Sequence, residues 1–263
     1  MPMEPVEPPS PYPKAENVAD FVRNLGVVRA RIDAAAERAG RTGGEVRLLP
    51  VSKTVPEERV RLAVAAGCRV LGENKVQEAK RKWRSLSDLE VSWSVIGHLQ
   101  TNKAKDVAEF AAEFQALDSL RAAEALDRRL QAAGRGLDVY VQVNTSAEDS
   151  KYGLPPEELT GFLRKLPDFT ALRVQGLMTL AVFTPDTERV RSCFRLLRDL
   201  RDRTRELGLV GPGGLSMGMS GDYETAVEEG ATVVRVGQAV FGARPLPDSH
   251  FWPGVAADGS SAV

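Results

Sequence analysis

The chain has 263 residues, 43% of them hydrophobic and 27% charged, which is enough apolar material for one α/β barrel or two smaller domains. Its 35 basic and 36 acidic residues nearly cancel, so the bulk positive field that phosphate-backbone binding needs is missing and nucleic acid is not an expected partner. The only two cysteines, Cys68 and Cys193, lie far apart with no CxxC spacing, which excludes a disulfide framework or a thiolate zinc site and points to a reduced, cytoplasmic setting.

The N-terminal stretch MPMEPVEPPSPYPKAE is proline-rich and acidic, with neither a basic start nor an apolar run. Residues 1–14 are therefore expected to form a disordered tail rather than a signal peptide or anchor. No stretch approaches the roughly 20 apolar residues of a membrane helix. From about residue 15, apolar positions Val18, Phe21, Val22, Leu25, Val28 and Ile32 predict a helix running to Gly40, weakened locally by Gly26.

Short apolar runs then alternate with amphipathic helical segments: VRLLPVS, RVLG, SWSVIG, FQALD, DVYVQVN, LRVQGLMTL, GLSMG and TVVRVG are each followed by a helix candidate. Among these, PPEELTGFLRKL and TPDTERVRSCFRLLRDLRDRTREL read as helices, the latter with Thr184 as cap and Pro185 in the first turn. Val76, Ala79 and Trp83 share one helix face; Cys193, Phe194, Leu197 and Leu200 share another, so Cys193 reads as core. Eight strand–helix pairs in this length give a single (β/α)₈ TIM barrel over residues 15–246, with an extra N-terminal helix; an open doubly wound sheet is the runner-up. Residues 247–263 are expected to be a flexible tail, with Phe251 and Trp252 able to pin its first part.

Barrel chemistry sits at the C-terminal ends of the strands. Those positions are Lys53, Glu73-Asn74, Gly97-His98, Asp118-Ser119, Asn144, Met178-Thr179, Ser216 and Arg235-Gly237. Singly, each could be an ordinary polar turn or cap; together they suggest a polar pocket. In LLPVSKTV an apolar run ends in a lone lysine. To act as a nucleophile near neutrality that amine must drop about three units from its usual pKa near 10.4, at roughly 4 kcal/mol, whereas condensation with an aldehyde gives a cheaper reason to keep it. The bland alternative is a rim lysine paired with a carboxylate such as Glu73.

In GLSMGMSGDYETA, Gly218 and Gly221 precede a helix whose cap is Ser220 or Asp222, and VRVGQAVFG repeats the arrangement after strand eight. Glycine at a helix N-terminus exposes amide hydrogens to an anion, and the loops after strands seven and eight are the usual phosphate site of such barrels. An aldehyde-seeking lysine on strand one beside a phosphate cradle points to pyridoxal 5'-phosphate (PLP). His98 and Asn74 are further candidates, each with a structural alternative as an orienting residue or helix cap.

The motifs LLPVSKTV, LGENKVQEAKRKW, WSVIGHLQTNKAK, LDSL, VQVNTSAEDSKYG, GLMTL, LSMGMSGDYETAV and VRVGQAVFG resemble, in order, those of the YggS/PROSC family of PLP-binding proteins, over about residues 45–244. The resemblance implies a PLP fold-type III barrel similar to the N-terminal domain of alanine racemase, with Lys53 as the Schiff-base lysine and a role in vitamin B6 and amino-acid homeostasis. It implies phosphate contacts from Ser216 and from the backbone at Gly237 and Gln238. The candidate cofactor-binding set is Lys53, Asn74, His98, Asn144, Met178, Ser216, Met217, Arg235, Gly237 and Gln238. Two positions depart from the family: Gln238 stands where threonine or serine is usual, and Lys75 where tyrosine is frequent.

A racemase needs groups on both faces of the substrate carbon, and in alanine racemase the second is a tyrosine from a separate domain for which this chain is expected to be too short. Tyr140 reads as strand core, and Tyr152 and Tyr223 as loop residues. An Arg235 facing the pyridine nitrogen would leave the ring a poor electron sink. The expectation is a monomeric PLP carrier with little or no catalysis, with PLP-dependent apo-enzymes as candidate partners; a racemase-like enzyme and a Schiff-base aldolase are the alternatives.

Overall fold

The computed structural model describes residues 12–148 and 151–243. All eight expected strands form: β1 (Arg47–Pro50), β2 (Val70–Glu73), β3 (Ser92–Val95), β4 (Glu113–Leu117), β5 (Leu137–Gln142), β6 (Leu172–Met178), β7 (Gly214–Ser216) and β8 (Val233–Val236). They pair in parallel in the order β1-β8-β7-β6-β5-β4-β3-β2. A bridge between Val51 and Gly72, backed by the Ser52 amide donating to the Gly72 carbonyl at 3.0 Å, joins the two ends and closes the barrel.

The helices are α1 (Val18–Arg38), α2 (Glu57–Ala65), α3 (Val76–Ser85), α4 (Ala104–Phe110), α5 (Leu120–Ala132), α6 (Leu159–Leu163), α7 (Thr187–Glu206), α8 (Tyr223–Glu228) and α9 (Gln238–Phe241). The last is only one turn long and leaves a gap in the helical ring. The N-terminal helix fills it: α1 packs against α2, α8 and α9, burying Phe21, Val28 and Ile32, with Phe21 edge-on to Phe241 at 5.4 Å. Its buried Asn24 donates to the Val240 carbonyl at 3.1 Å, tying the two helices by a polar contact that the apolar pattern did not signal.

Three local expectations change. Helix α7 begins later than Thr184-Pro185, because Asp186 takes the cap by accepting from the amides of Glu188 and Arg189. The segment PPEELTGFLRKL forms the five-residue α6 between two 3₁₀ turns, since Pro156, Gly161 and Pro167 break a longer helix. Tyr223 opens α8 rather than lying in a loop, and is buried. Cys193 is core as expected, and Tyr140 is buried within β5. Of the expected tails, residues 1–11 and 247–263, with Phe251 and Trp252, lie outside the described residues. Tyr12 does not: its hydroxyl donates to the Ser220 carbonyl at 2.7 Å and its carbonyl accepts from Ala243.

Candidate active site at the strand ends

Register places the lysine beside the last strand. Leu49 faces Arg235 and Pro50 faces Val236 across the β1–β8 pair, and the Val51 amide donates to the Val236 carbonyl at 2.9 Å. Lys53, half-buried, follows two residues later, so it shares the rim with Gly237 and Gln238. Gly237 precedes α9 at a point where a Cβ would stand 3.3 Å from the Val51 carbonyl oxygen, so a side chain there would crowd the lysine strand.

The lysine sits in a tight turn. The Val55 amide returns to the Ser52 carbonyl at 3.0 Å, and Thr54, next to Lys53, adopts φ 64°. A β-branched residue in the left-handed region is a strained conformer, costing about 1–3 kcal/mol unless its surroundings enforce it. Here Glu78 of α3 accepts from the Thr54 amide at 2.8 Å.

Barrels of this kind are usually filled by branched apolar side chains. This one carries a polar column instead. Arg235 on β8 is 3% exposed; its Nη1 donates to Ser216 Oγ (2.7 Å) and its Nη2 to the Thr179 carbonyl (2.7 Å). Ser216 Oγ donates to Gln115 Oε1 (2.6 Å), and Gln115 Nε2 to Glu113 Oε1 (2.5 Å), which also accepts from Ser94. Arg47, at the start of β1, donates to Glu113 Oε2 at 2.6 Å. Ser216 on β7 and Gln115 on β4 lie three strands apart, so the column crosses the barrel interior. Its polarity follows from one group: a carboxylate only accepts, so Gln115 must turn its NH₂ toward Glu113 and its oxygen toward Ser216, and Ser216 must donate downward and accept from Arg235.

Arg235 has no carboxylate within ion-pair distance among the described residues. Burial depresses its guanidinium from the usual arginine range to about 10, with the more distant Asp222 pulling it back up. The column therefore holds a cation under the mouth of the barrel through neutral acceptors.

The rest of the expected set divides. Ser216 lies in the column, where its hydroxyl donates to Gln115 and accepts from Arg235. The hydroxyl at the loop between β7 and α8 is that of Ser220, whose Oγ accepts from the Ala239 amide in the first turn of α9 at 3.3 Å. This residue reads from the sequence only as a helix cap. Asn144 organises its own loop: its NH₂ donates to the carbonyls of Glu148 and Lys151 and its oxygen accepts from Ser146. Met178 and Met217 are fully buried core members.

Asn74 is exposed and does not cap α3, whose cap position is Lys75. It lies so close to Gly97 that a Cβ there would meet the Asn74 carbonyl oxygen at 2.1 Å, which explains why position 97 is glycine. Lys75 is exposed, as its place at the helix start implied. His98 Nδ1 is 3.1 Å from Asp118 Oδ2, and its ring stacks on Tyr152 at 3.9 Å and 10°. A further cleft between the loops after β4 and β5, lined by Asp118, Ser119, Leu154 and Phe162, lies across the barrel from β1 and β8 and takes no part in this site.

Comparison with known proteins agrees with this architecture. The family described as alanine racemase, N-terminal domain, matches residues 24–245. A pyridoxal phosphate homeostasis protein of Aquifex aeolicus is 41% identical over 220 residues, covering 84% of this chain and 96% of the relative. One from Pseudomonas aeruginosa is 42% identical over 227 residues, covering 86% and 97%. The structure of PipY from Synechococcus elongatus, solved with PLP bound, superposes with a TM-score of 0.75 at 32% identity over 84% of this chain and all of that one, 100%. Alanine racemase from Streptomyces lavendulae gives a TM-score of 0.68 at 19% identity over 88% of this chain and 59% of that one, a likeness of the barrel alone. The chain belongs to the family of pyridoxal phosphate homeostasis proteins, built on the alanine racemase N-terminal domain.

Proposed function

We propose that this protein binds pyridoxal 5'-phosphate at the rim of β1 and β8 and serves in its homeostasis, holding the cofactor reversibly through Lys53. The observation that carries this reading is the convergence, fixed by the β1–β8 register, of a half-buried lysine, a buried guanidinium and a crowded glycine that precedes a helical turn. The PLP bound by PipY, which is matched over the whole of its length, supports it. The residues suit the group: Lys53 would supply the amine, Arg235 a donor for the ring nitrogen, and Gly237, Gln238 and Ser220 would hold the phosphate. Condensation joins the Lys53 nitrogen to the aldehyde carbon with loss of one water. When bound, the cofactor supplies an electron sink for carbon acids, and a guanidinium at its nitrogen weakens that capacity relative to a carboxylic acid.

The purified protein, incubated with PLP, is expected to absorb in the visible; borohydride reduction followed by mass spectrometry should place the label on Lys53. A colourless protein, or label on Lys75 or Lys103, would sink the assignment. The accompanying expectation is that alanine and serine in deuterated buffer gain no α-deuterium at enzymatic rates, on the order of 1 s⁻¹ or above. Exchange at such rates would make the protein an enzyme of the racemase kind. Cytoplasmic residence, a monomeric state and apo-enzymes as recipients belong to the same proposal.

A further inference from the structure

Beneath the Lys53 turn lies a buried ionic cluster that the cofactor site does not use. Lys82, on α3, is 0% exposed, and its ammonium donates to the Ser52 carbonyl (2.7 Å), to Glu73 Oε1 (2.7 Å) and to Glu78 Oε1 (2.8 Å). Ser52 Oγ donates to the same Glu73 oxygen at 2.6 Å, and Glu78 also receives the Thr54 amide. Three of the four groups that define the turn, the Ser52 carbonyl, the Ser52 hydroxyl and the Thr54 amide, are therefore held by Lys82, Glu73 and Glu78. The remaining one is the Val55 amide, which closes the turn on itself.

This arrangement is expensive. Burial pushes the Glu73 carboxyl up, with Lys82 and Ser52 pulling it back, and Glu73 Oε2 is buried without a donor among the described residues. A well-packed apolar replacement of a buried ion pair is often neutral or stabilising, so stability alone does not account for the cluster. What it does achieve is to hold Thr54 at φ 64°, a conformation threonine does not choose for itself.

We propose that Lys82, acting with Glu73 and Glu78, is a positioning residue that locks the Ser52–Val55 turn and thereby sets the readiness of the Lys53 amine to condense with an aldehyde. The inference rests on the cofactor reading above. The cluster never touches the cofactor; it acts through the backbone on either side of Lys53. Locking the amine in place lowers the ordering cost of attack, which is the general benefit of preorganisation.

The test separates covalent attachment from pocket binding and from folding. Pyridoxine 5'-phosphate, which carries an alcohol in place of the aldehyde, reads the pocket alone; PLP absorbance reads condensation on Lys53; thermal unfolding of the cofactor-free chain reads the fold. The double variant Lys82→Met/Glu73→Gln removes both charges while keeping the volumes. It is expected to retain pyridoxine phosphate affinity within about threefold, while the covalent constant for PLP falls about tenfold or more. Condensation at the wild-type constant in this variant overturns the proposal. Should it fail to fold, Glu78→Ala carries the test, since it removes the acceptor of the Thr54 amide and leaves the buried Lys82–Glu73 pair in place. That chain should keep its pyridoxine phosphate affinity within about threefold yet condense several-fold less; unchanged condensation there overturns the proposal equally. A wild-type protein that binds neither probe would instead defeat the cofactor reading, a separate outcome.

Discussion

Replacing Arg235 with methionine is expected to leave the cofactor-free protein as stable as wild type or up to about 2 kcal/mol more stable, while weakening PLP binding about tenfold or more. The stability half follows from the missing counter-ion. Burial lowers the Arg235 pKa from the usual arginine range to about 10, and at about 1.4 kcal/mol per pH unit this is a cost of about 3 kcal/mol for keeping the cation folded. Against that gain, the Thr179 carbonyl loses a buried donor, worth about 1–3 kcal/mol. Methionine fills similar volume without charge, so the net is small and of favourable sign.

The pH dependence has a definite sign too. Below pH 10 the guanidinium is protonated in both folded and unfolded chains, so its penalty is constant across the neutral range. As pH climbs above about 10 toward the usual arginine range, the unfolded chain binds the extra proton and the folded state gains relative stability. The difference between wild type and Arg235→Met in urea unfolding should therefore be flat from about pH 6 to 9. A loss of more than about 2 kcal/mol in the variant would mean that Arg235 is a structural tie rather than a charge held against its burial cost for a ligand. The result would then resemble the removal of one partner from an ordinary buried pair.

The fold was legible because it rests on local pattern. Eight apolar runs with turn signals between them are visible residue by residue, and closure into a barrel is the economical way to bury all eight. Lys53 stood out because an ammonium ends an apolar run. The column was not legible. In EFQAL, the glutamate and glutamine of β4 look like the polar half of an alternating strand, and only closure of the barrel brings Gln115 against Ser216, 101 positions away. Lys82 hid for a similar reason: in KRKW it reads as one of three solvated cations, and its burial depends on where α3 docks over the β1 turn. The inward place of Ser216 was not legible either, because β7 is too short, at three residues, to show an alternation. The loop contacts of Asn144 were equally hidden, since an asparagine that ends a strand can serve its own loop as readily as a ligand.

Glu113→Leu should be the most damaging single change in the column, at about 3–5 kcal/mol. The carboxylate accepts from Ser94, Gln115 and Arg47 at once. Leucine strands the first two donors in the interior, whereas Arg47, at 37% side-chain exposure, can turn to water. The more informative measurement is the double-mutant cycle with Arg235→Met. If Glu113 orders the dipoles of Gln115 and Ser216 up to the guanidinium, its loss leaves Arg235 without both orientation and remote counter-charge, and removing the arginine as well relieves part of the damage. The double variant is expected to be at least about 1 kcal/mol more stable than the sum of the single effects. The two residues share no contact and are reached only through Gln115 and Ser216, so additivity within about 0.5 kcal/mol would show that the hydrogen bonds are separate local ties. Coupling would instead show that a carboxylate at the foot of the barrel governs the cation beneath its mouth.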